Sequence, residues 1–154
     1  MTREDARTGG ERPASRLAGV RLPHEVFVAV RRSGELLVLH RSPEHGGYWH
    51  GVAGGVEPGE APALAAAREL REETGLEAVP VDLHRPYEYS PEPWEAGAAH
   101  GFARIRVECF LAEAPVGWEP RLDGEHDAYR WCTADAAARL LFWPEPRELV
   151  RSIA

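Results

Sequence analysis

The sequence predicts an α/β fold with a mixed β-sheet, built as a single domain. Short segments rich in β-branched and aromatic residues lie on both sides of one Ala- and Leu-rich helical segment. The chain has 154 residues, of which 44% are hydrophobic, so it can bury the core of one domain. We therefore expect residues 17–154 to form this domain, and residues 1–16, which mix charged residues with Gly and Pro, to form a flexible tail.

The domain is predicted to begin with a hairpin and a third strand. Residues 25–31 and 36–41 are typical of strands, and the polar residues between them favour a turn. The third strand is expected over residues 48–53. A loop should follow from Gly54, because glycines and a proline are frequent there.

The best-defined helix is predicted from Pro62 to Thr74, because proline suits a first helical turn and Gly75 can end the helix. Ala65 and Ala66 lie on one stripe of this helix, and their small side chains are expected to leave open space above it. The opposite face is expected to pack on the sheet. That face carries Leu64, Ala67, Leu70 and Thr74.

The second half of the chain is predicted to continue the sheet and to end in helices. Residues 102–111 alternate in polarity and give the clearest strand signal of the sequence. Residues 79–83 and 87–89 are expected to be extended, and residues 90–101 to form a loop. The remaining predicted elements are a strand over residues 129–132 and helices over residues 134–141 and 144–153.

Charge and composition exclude several classes of function. The chain has 18 Lys and Arg against 25 Asp and Glu, a net charge of −7, which disfavours binding to a long nucleic acid. Small phosphorylated ligands remain compatible if a metal ion attracts them. No apolar run approaches the roughly 20 residues that cross a bilayer, so no membrane partner is expected. Two isolated cysteines fit free thiols, and we expect a cytoplasmic location.

Four carboxylates surround the predicted helix: Glu60 precedes it, and Glu69, Glu72 and Glu73 lie within it. At about 100° per residue, the last three share one stripe, where like charges three and four residues apart repel. A divalent cation would turn this repulsion into attraction, and carboxylate oxygens suit Mg²⁺ or Mn²⁺. A solvated acidic face is the alternative interpretation of a carboxylate cluster taken by itself.

The residues around these carboxylates form a longer pattern, G-x5-E-x7-R-E-U-x-E-E-x-G-U, where U is an apolar residue. On this pattern the chain resembles the Nudix (MutT-like) hydrolases. The match covers every fixed position. These positions are Gly54, Glu60, Arg68, Glu69, Leu70, Glu72, Glu73, Gly75 and Leu76.

The resemblance implies an α/β/α sandwich, with a mixed sheet between helices, from about residue 22 to the end. It also implies hydrolysis of a pyrophosphate linkage by water, with Mg²⁺ as cofactor and Mn²⁺ as a possible substitute. By the same resemblance, Glu69, Glu72 and Glu73 are metal ligands, and Glu72 and Glu73 are also catalytic. Glu60 and Arg68 would form an ion pair that fixes the loop against the helix.

A backbone carbonyl of Ala53 or Gly54 is implied as a further contact to the metal or the substrate. Many members of the family have Pro-Gly where this chain has Val52 and Ala53, so the carbonyl involved is left open. Arg41, which ends the second predicted strand, could bind a substrate phosphate or could lie on the surface.

A second segment, residues 124–131 (GEHDAYRW), resembles part of the diadenosine tetraphosphate hydrolases and dihydroneopterin triphosphate pyrophosphatases of this family. That resemblance implies that Glu125 is a further metal ligand or a base. The alternative is an ordinary acidic residue in a loop. Tyr87, Tyr89 and Trp94 could stack on a base or could serve in ordinary packing.

Three functions remain open at this stage. The first is a pyrophosphohydrolase acting on a small substrate, such as a nucleoside or pterin triphosphate, a dinucleoside polyphosphate or a nucleotide sugar. The second is a ligand-binding or regulatory Nudix-like domain, which usually lacks some of the carboxylates that are present here. The third is an isopentenyl diphosphate isomerase, which needs a cysteine ahead of the motif, whereas this chain has none before Cys109.

Overall fold

The computed structural model describes residues 20–153, apart from the side chain of Ala96, and the predicted tail over residues 1–16 lies outside this range. Within it the chain forms eight strands, four α-helices and one short 3-10 helix (Pro43–His45). The strands are β1 (His24–Arg32), β2 (Glu35–Arg41), β3 (Trp49–His50), β4 (Val52–Gly55), β5 (Val81–Asp82), β6 (Tyr87–Tyr89), β7 (Ile105–Glu113) and β8 (His126–Cys132). The helices are α1 (Pro62–Thr74), α2 (Ala96–Ala99), α3 (Ala134–Leu140) and α4 (Pro144–Ile153).

The hairpin of β1 and β2 joins two groups of strands. Ser33 and Gly34 have φ angles of 51° and 82°, and this turn conformation matches the natural twist of paired strands. Beyond the turn, β1 pairs in parallel with β7 and antiparallel with β4, whereas β2 pairs with β3 and β8. The predicted α/β class and mixed sheet are therefore confirmed.

Side chains of β1 alternate between two apolar layers, as the period of a strand requires. Val26, Val28 and Val30 pack in the layer that contains the buried face of α1. Phe27 and Ala29 point to the opposite layer, where they pack with Leu149 of α4. The sheet thus lies between helices, and the predicted α/β/α sandwich is confirmed.

Helix α1 begins and ends where the sequence predicts, and Gly75 follows it with a left-handed φ of 82°. Its packing face agrees with the prediction at Leu70 and Thr74, which are buried, and differs from it at Leu64. Leu64 is 65% exposed, whereas Ala65 and Ala66 are fully buried against the sheet. Open space above these two alanines was therefore a wrong prediction: their small side chains let the helix backbone approach the strands closely.

Strand pairing accounts for the other differences from the prediction. Gly54 and Gly55 belong to β4 because they pair with Val26 and Glu25 of β1, so the predicted loop begins after them. The extended segment over residues 79–83 contributes only the two residues of β5 to the sheet. The predicted loop over residues 90–101 contains the short helix α2. Among the described residues, no helix has the length and apolar character needed to cross a bilayer.

Candidate active site

A cleft of about 720 Å³ opens beside the C-terminal half of α1. Three walls of different character line it. The first is acidic, the second is made of loops that precede β3 and β8, and the third is aromatic. The acidic residues at the α1 end of the cleft are Glu69, Glu72, Glu73, Asp123 and Glu125.

Arg68 is the centre of the hydrogen-bond network at this end of the cleft. Its Nε and Nη2 atoms donate to the two carboxylate oxygens of Glu60, each at 2.9 Å. Nη2 also donates to the Gly55 carbonyl at 2.9 Å, and Nη1 donates to Glu69 Oε2 at 2.9 Å. The bidentate bond to Glu60 raises the pKa of Arg68. This network attaches the loop after β4 to α1 and holds the Glu69 side chain in place.

Glu69 and Glu73 lie on the inner edge of α1 and are largely buried. The pKa of Glu69 is raised to about 7, mainly by burial; the charge of Arg68 opposes this shift, and the neighbouring charge of Glu72 adds to it. Burial also raises the pKa of Glu73 well above 4.5, with further contributions from Glu69 and Asp123. Two buried acids that repel each other are an unfavourable arrangement that a bound cation would relieve.

Gly54 leaves the space that the Glu69 carboxylate occupies. A Cβ atom at position 54 would overlap that carboxylate, so any larger residue would displace it. The neighbouring Ala53 amide donates to Glu73 Oε1 over a long 3.4 Å. The sequence-predicted pair Ala53 and Gly54 is therefore in direct reach of the two buried glutamates.

Glu72 and Glu125 are the more exposed acids, with 44% and 51% of their side chains accessible. Glu125 lies in the loop before β8, and its carbonyl accepts a hydrogen bond from the Ser42 amide at 2.9 Å. Arg41 Nη2 lies 3.8 Å from Glu125 Oε1, and Arg41 Nε donates to the His45 carbonyl at 2.7 Å. The structure thus brings Arg41 and Glu125 together in the cleft that the glutamates of α1 line.

These oxygen donors suit a hard divalent cation such as Mg²⁺. The buried repelling pair of Glu69 and Glu73, with the Glu69 carboxylate lying against Gly54, suits such an ion. Within residues 20–153, no three His, Cys, Asp or Glu side chains already converge closely enough to form a metal cluster. The glutamates that could hold a metal therefore share one cleft without being gathered into a coordination shell.

Several cleft residues were missed at the sequence level. Asp123 Oδ1 accepts hydrogen bonds from the Glu125 amide at 3.2 Å and from His126 Nδ1 at 2.8 Å, and its charge faces Glu73. Its position two residues before Glu125 was the available signal. Arg21 and Glu25 also line the cleft, but they lie far from α1 in the sequence, and no sequence pattern marks them.

The NUDIX domain family model matches residues 22–153, and the chain therefore belongs to the NUDIX family. The predicted resemblance to Nudix hydrolases is confirmed. In sequence, the chain is 37% identical over 116 residues to an octanoyltransferase of Myxococcus xanthus, a match that covers 75% of this chain and 31% of that protein. The chain thus spans about a third of that relative.

Two further similarities concern named hydrolases. The asymmetrical bis(5′-nucleosyl)-tetraphosphatase of Sus scrofa is 34% identical over 96 residues, which cover 60% of each chain. The solved structure of the dihydroneopterin triphosphate pyrophosphohydrolase of E. coli is similar with a TM-score of 0.75 and 26% identity, over 86% of this chain and 95% of that one. Other relatives are named RNA pyrophosphohydrolases.

Proposed function

We propose that the chain is a Mg²⁺-dependent hydrolase that cleaves a pyrophosphate linkage in a small nucleoside or pterin di-, tri- or polyphosphate. The observation that carries this proposal is the buried pair Glu69 and Glu73, fixed by the Arg68–Glu60 network in a cleft that also holds Arg41 and Glu125. A buried acidic pair of this kind costs stability unless a cation binds it. The relatives named as a tetraphosphatase and as pyrophosphohydrolases support the same class of reaction.

Glu69, Glu72 and Glu73 would hold the metal, together with Glu125 and a backbone carbonyl of Ala53 or Gly54. When bound, Mg²⁺ neutralises phosphate charge and lowers the pKa of water. The net reaction adds one water across the linkage: the water oxygen forms a bond to phosphorus, and the bridging P–O bond breaks. Each product then ends in a phosphate group, and the protons of the water are released or retained according to pH.

The chain's own residues would divide the work among them. Glu73 lines the cleft, and its carboxylate form could accept the proton that the attacking water loses. Glu72 lies on the same stripe of α1 and would assist the same proton transfer. Arg68 and Glu60 hold the loop and Glu69 in position. Arg41, whose guanidinium lies in the cleft beside Glu125, would bind a phosphate of the substrate.

A hydrolysis panel tests this proposal. The purified chain would be incubated with Mg²⁺ and each of five substrates: GTP, dihydroneopterin triphosphate, diadenosine tetraphosphate, ADP-ribose and an RNA with a 5′-triphosphate. Products would be separated by chromatography, and a parallel series would contain a chelator. We expect Mg²⁺-dependent turnover of a small triphosphate or polyphosphate that exceeds turnover of the RNA.

The other outcomes discriminate between alternatives. Binding of nucleotides without turnover of any substrate would contradict the proposal and favour a ligand-binding Nudix-like domain. Fastest turnover of the RNA would show that the relatives named RNA pyrophosphohydrolases are the better guide to the substrate. Turnover that survives the chelator would contradict the metal dependence.

A further inference from the structure

The cleft continues from the acidic end to an aromatic cluster, defined here as Tyr48, Trp94, Phe142 and Trp143. Arg41 connects the two ends, because its guanidinium lies 3.8 Å from Glu125 on one side and 5.7 Å from the centre of the Tyr48 ring on the other. A substrate whose phosphates reach Glu125 and Arg41 would therefore place its remaining part against the aromatic cluster.

The aromatic cluster keeps ring surface available to a ligand. Trp94 stacks on Trp143 with ring centres 5.7 Å apart and an angle of 24° between the rings. Tyr48 stacks on Phe142 at 5.3 Å and 29°. Although these rings pack on one another, Trp94 is still 58% exposed, and Tyr48, Trp94 and Trp143 line the cleft. An exposed indole in a cleft is a surface on which a planar heterocycle can stack.

A cluster of hydrogen-bonded polar side chains, formed by Arg21, Glu25 and Tyr89, lies in the same cleft. Arg21 Nη2 bonds to Glu25 Oε2 at 2.6 Å, and the Tyr89 hydroxyl donates to Glu25 Oε1 at 2.8 Å. The Nε atom of Arg21 is buried and has no hydrogen-bond partner among the described residues. A buried donor without a partner costs stability, and because Arg21 also lines the cleft, a rotation of its side chain would offer this donor to a ligand acceptor.

Glu95 supplies an acceptor in the same cleft. It follows Trp94 directly in the sequence, lines the cleft, and accepts a hydrogen bond from the Glu92 amide at 3.3 Å through Oε2. Burial raises the pKa of Glu95, the hydrogen bond from the Glu92 amide opposes this shift, and the charge of Glu25, which lines the same cleft, adds to it. Arg21 and Glu95 therefore offer a donor and an acceptor in the same cleft as the exposed ring of Trp94.

Guanine and pterins carry a carbonyl oxygen, a ring N–H and an amino group in consecutive order along one edge, whereas adenine presents an amino group beside a bare ring nitrogen. We infer that Arg21 and Glu95 select a guanine or pterin heterocycle stacked on Trp94. Arg21 Nε would donate to the carbonyl oxygen of the heterocycle, and the Glu95 carboxylate would accept from its ring N–H and its amino group. The inference rests on the proposed function, because it takes the phosphates to lie at Arg41 and Glu125.

Binding of monophosphates tests the inference apart from hydrolysis, because GMP and AMP contain no pyrophosphate linkage. Isothermal titration calorimetry with Mg²⁺ would give the Kd of each nucleotide for the wild-type chain and for Glu95→Gln. We expect wild type to bind GMP about tenfold more tightly than AMP, and the variant to reduce this ratio to about threefold or less. The matched control is Glu92→Gln, an exposed glutamate of the same loop, which should keep the wild-type ratio.

Trp94→Leu tests stacking apart from the hydrogen bonds to the edge of the heterocycle. It should weaken GMP and AMP binding alike, by about tenfold, and leave their ratio unchanged. Equal affinity of wild type for GMP and AMP, no measurable GMP binding at millimolar concentration, or an unchanged ratio in Glu95→Gln would overturn the inference. If GMP is preferred as expected but no compound of the hydrolysis panel is cleaved, the proposed function fails while the base site stands.

Discussion

The two ends of the cleft are built in different ways. At the α1 end, Glu60, Arg68 and Glu69 come from one short stretch of sequence, and only 12–15% of their side-chain surface is exposed. At the aromatic end, Tyr48, Trp94 and Trp143 come from three loops that are far apart in the chain, and Trp94 is mostly exposed. The α1 end is held by charged hydrogen bonds, and the aromatic end by ring contacts.

We take this difference to separate the residues proposed to carry out the reaction from those proposed to select the substrate. A buried network of carboxylates around one arginine fixes atoms tightly, as metal binding and proton transfer require. Exposed rings on loops tolerate changes of residue without disturbing that network. We therefore expect substitutions at the α1 end to change kcat, and substitutions at the aromatic end to change the affinity for the ligand.

The largest expected effect belongs to Glu73→Gln, which keeps the shape of the side chain and removes its charge. We expect kcat to fall on the order of a thousandfold, with a smaller change in KM, because a proton acceptor and a metal ligand are lost together. GMP affinity should stay within about twofold of wild type, since the aromatic end is intact. Steady-state kinetics and calorimetry check the two parts. A variant that retains more than about a tenth of wild-type kcat would remove Glu73 from the catalytic role.

A smaller loss of activity is expected for Glu125→Gln. Its carboxylate is half exposed beside Arg41, so it would complete the metal site rather than form its centre. We expect kcat to fall roughly ten- to a hundredfold. The control is Glu113→Gln at the end of β7, an exposed glutamate paired with Arg31, whose loss should change kcat little. If the two variants have equal activity, Glu125 does not belong to the site.

Arg68→Ala should affect stability as well as activity. It removes the bidentate bond to Glu60 and the bonds to Glu69 and to the Gly55 carbonyl, and it leaves largely buried acids without their cation. We expect the free energy of unfolding to fall by about 3 kcal/mol, measured by urea denaturation. Arg71→Ala, at an exposed position of the same helix, is the control. An unfolding midpoint equal to that of wild type would contradict the structural role of the Arg68–Glu60 pair.

The smallest expected effect is on the pH dependence of stability in the presence of a chelator. Because burial raises the folded-state pKa of Glu69 from 4.5 to about 7, the folded chain binds more protons than the unfolded chain in that interval. This group's contribution to the free energy of unfolding therefore decreases as pH rises from about 4.5 to about 7. The melting temperature should therefore fall more steeply across this pH range for wild type than for Glu69→Gln. Identical slopes would show that Glu69 is not perturbed as described.

The sequence predicts the α1 end far better than the aromatic end. Helix α1 and Gly75 follow from local rules, and the spacing of the glutamates places them on one stripe. The prediction for Leu64 failed because helical periodicity gives relative positions on the helix and not which side meets the sheet. Tyr48, Trp94 and Trp143 meet only through the tertiary fold, and Arg21 and Glu25 carry no local signal, so sequence patterns could not assemble that end.

Direct titration with Mn²⁺, a spectroscopic substitute for Mg²⁺, tests the central claim that the carboxylates of α1 hold a divalent cation. Electron paramagnetic resonance of the free ion would give the Kd for wild type, Glu73→Gln and Glu113→Gln without any substrate. We expect Glu73→Gln to bind Mn²⁺ at least about tenfold more weakly than wild type, and Glu113→Gln to bind it as wild type does. Equal Mn²⁺ affinity of wild type and Glu73→Gln would contradict the account.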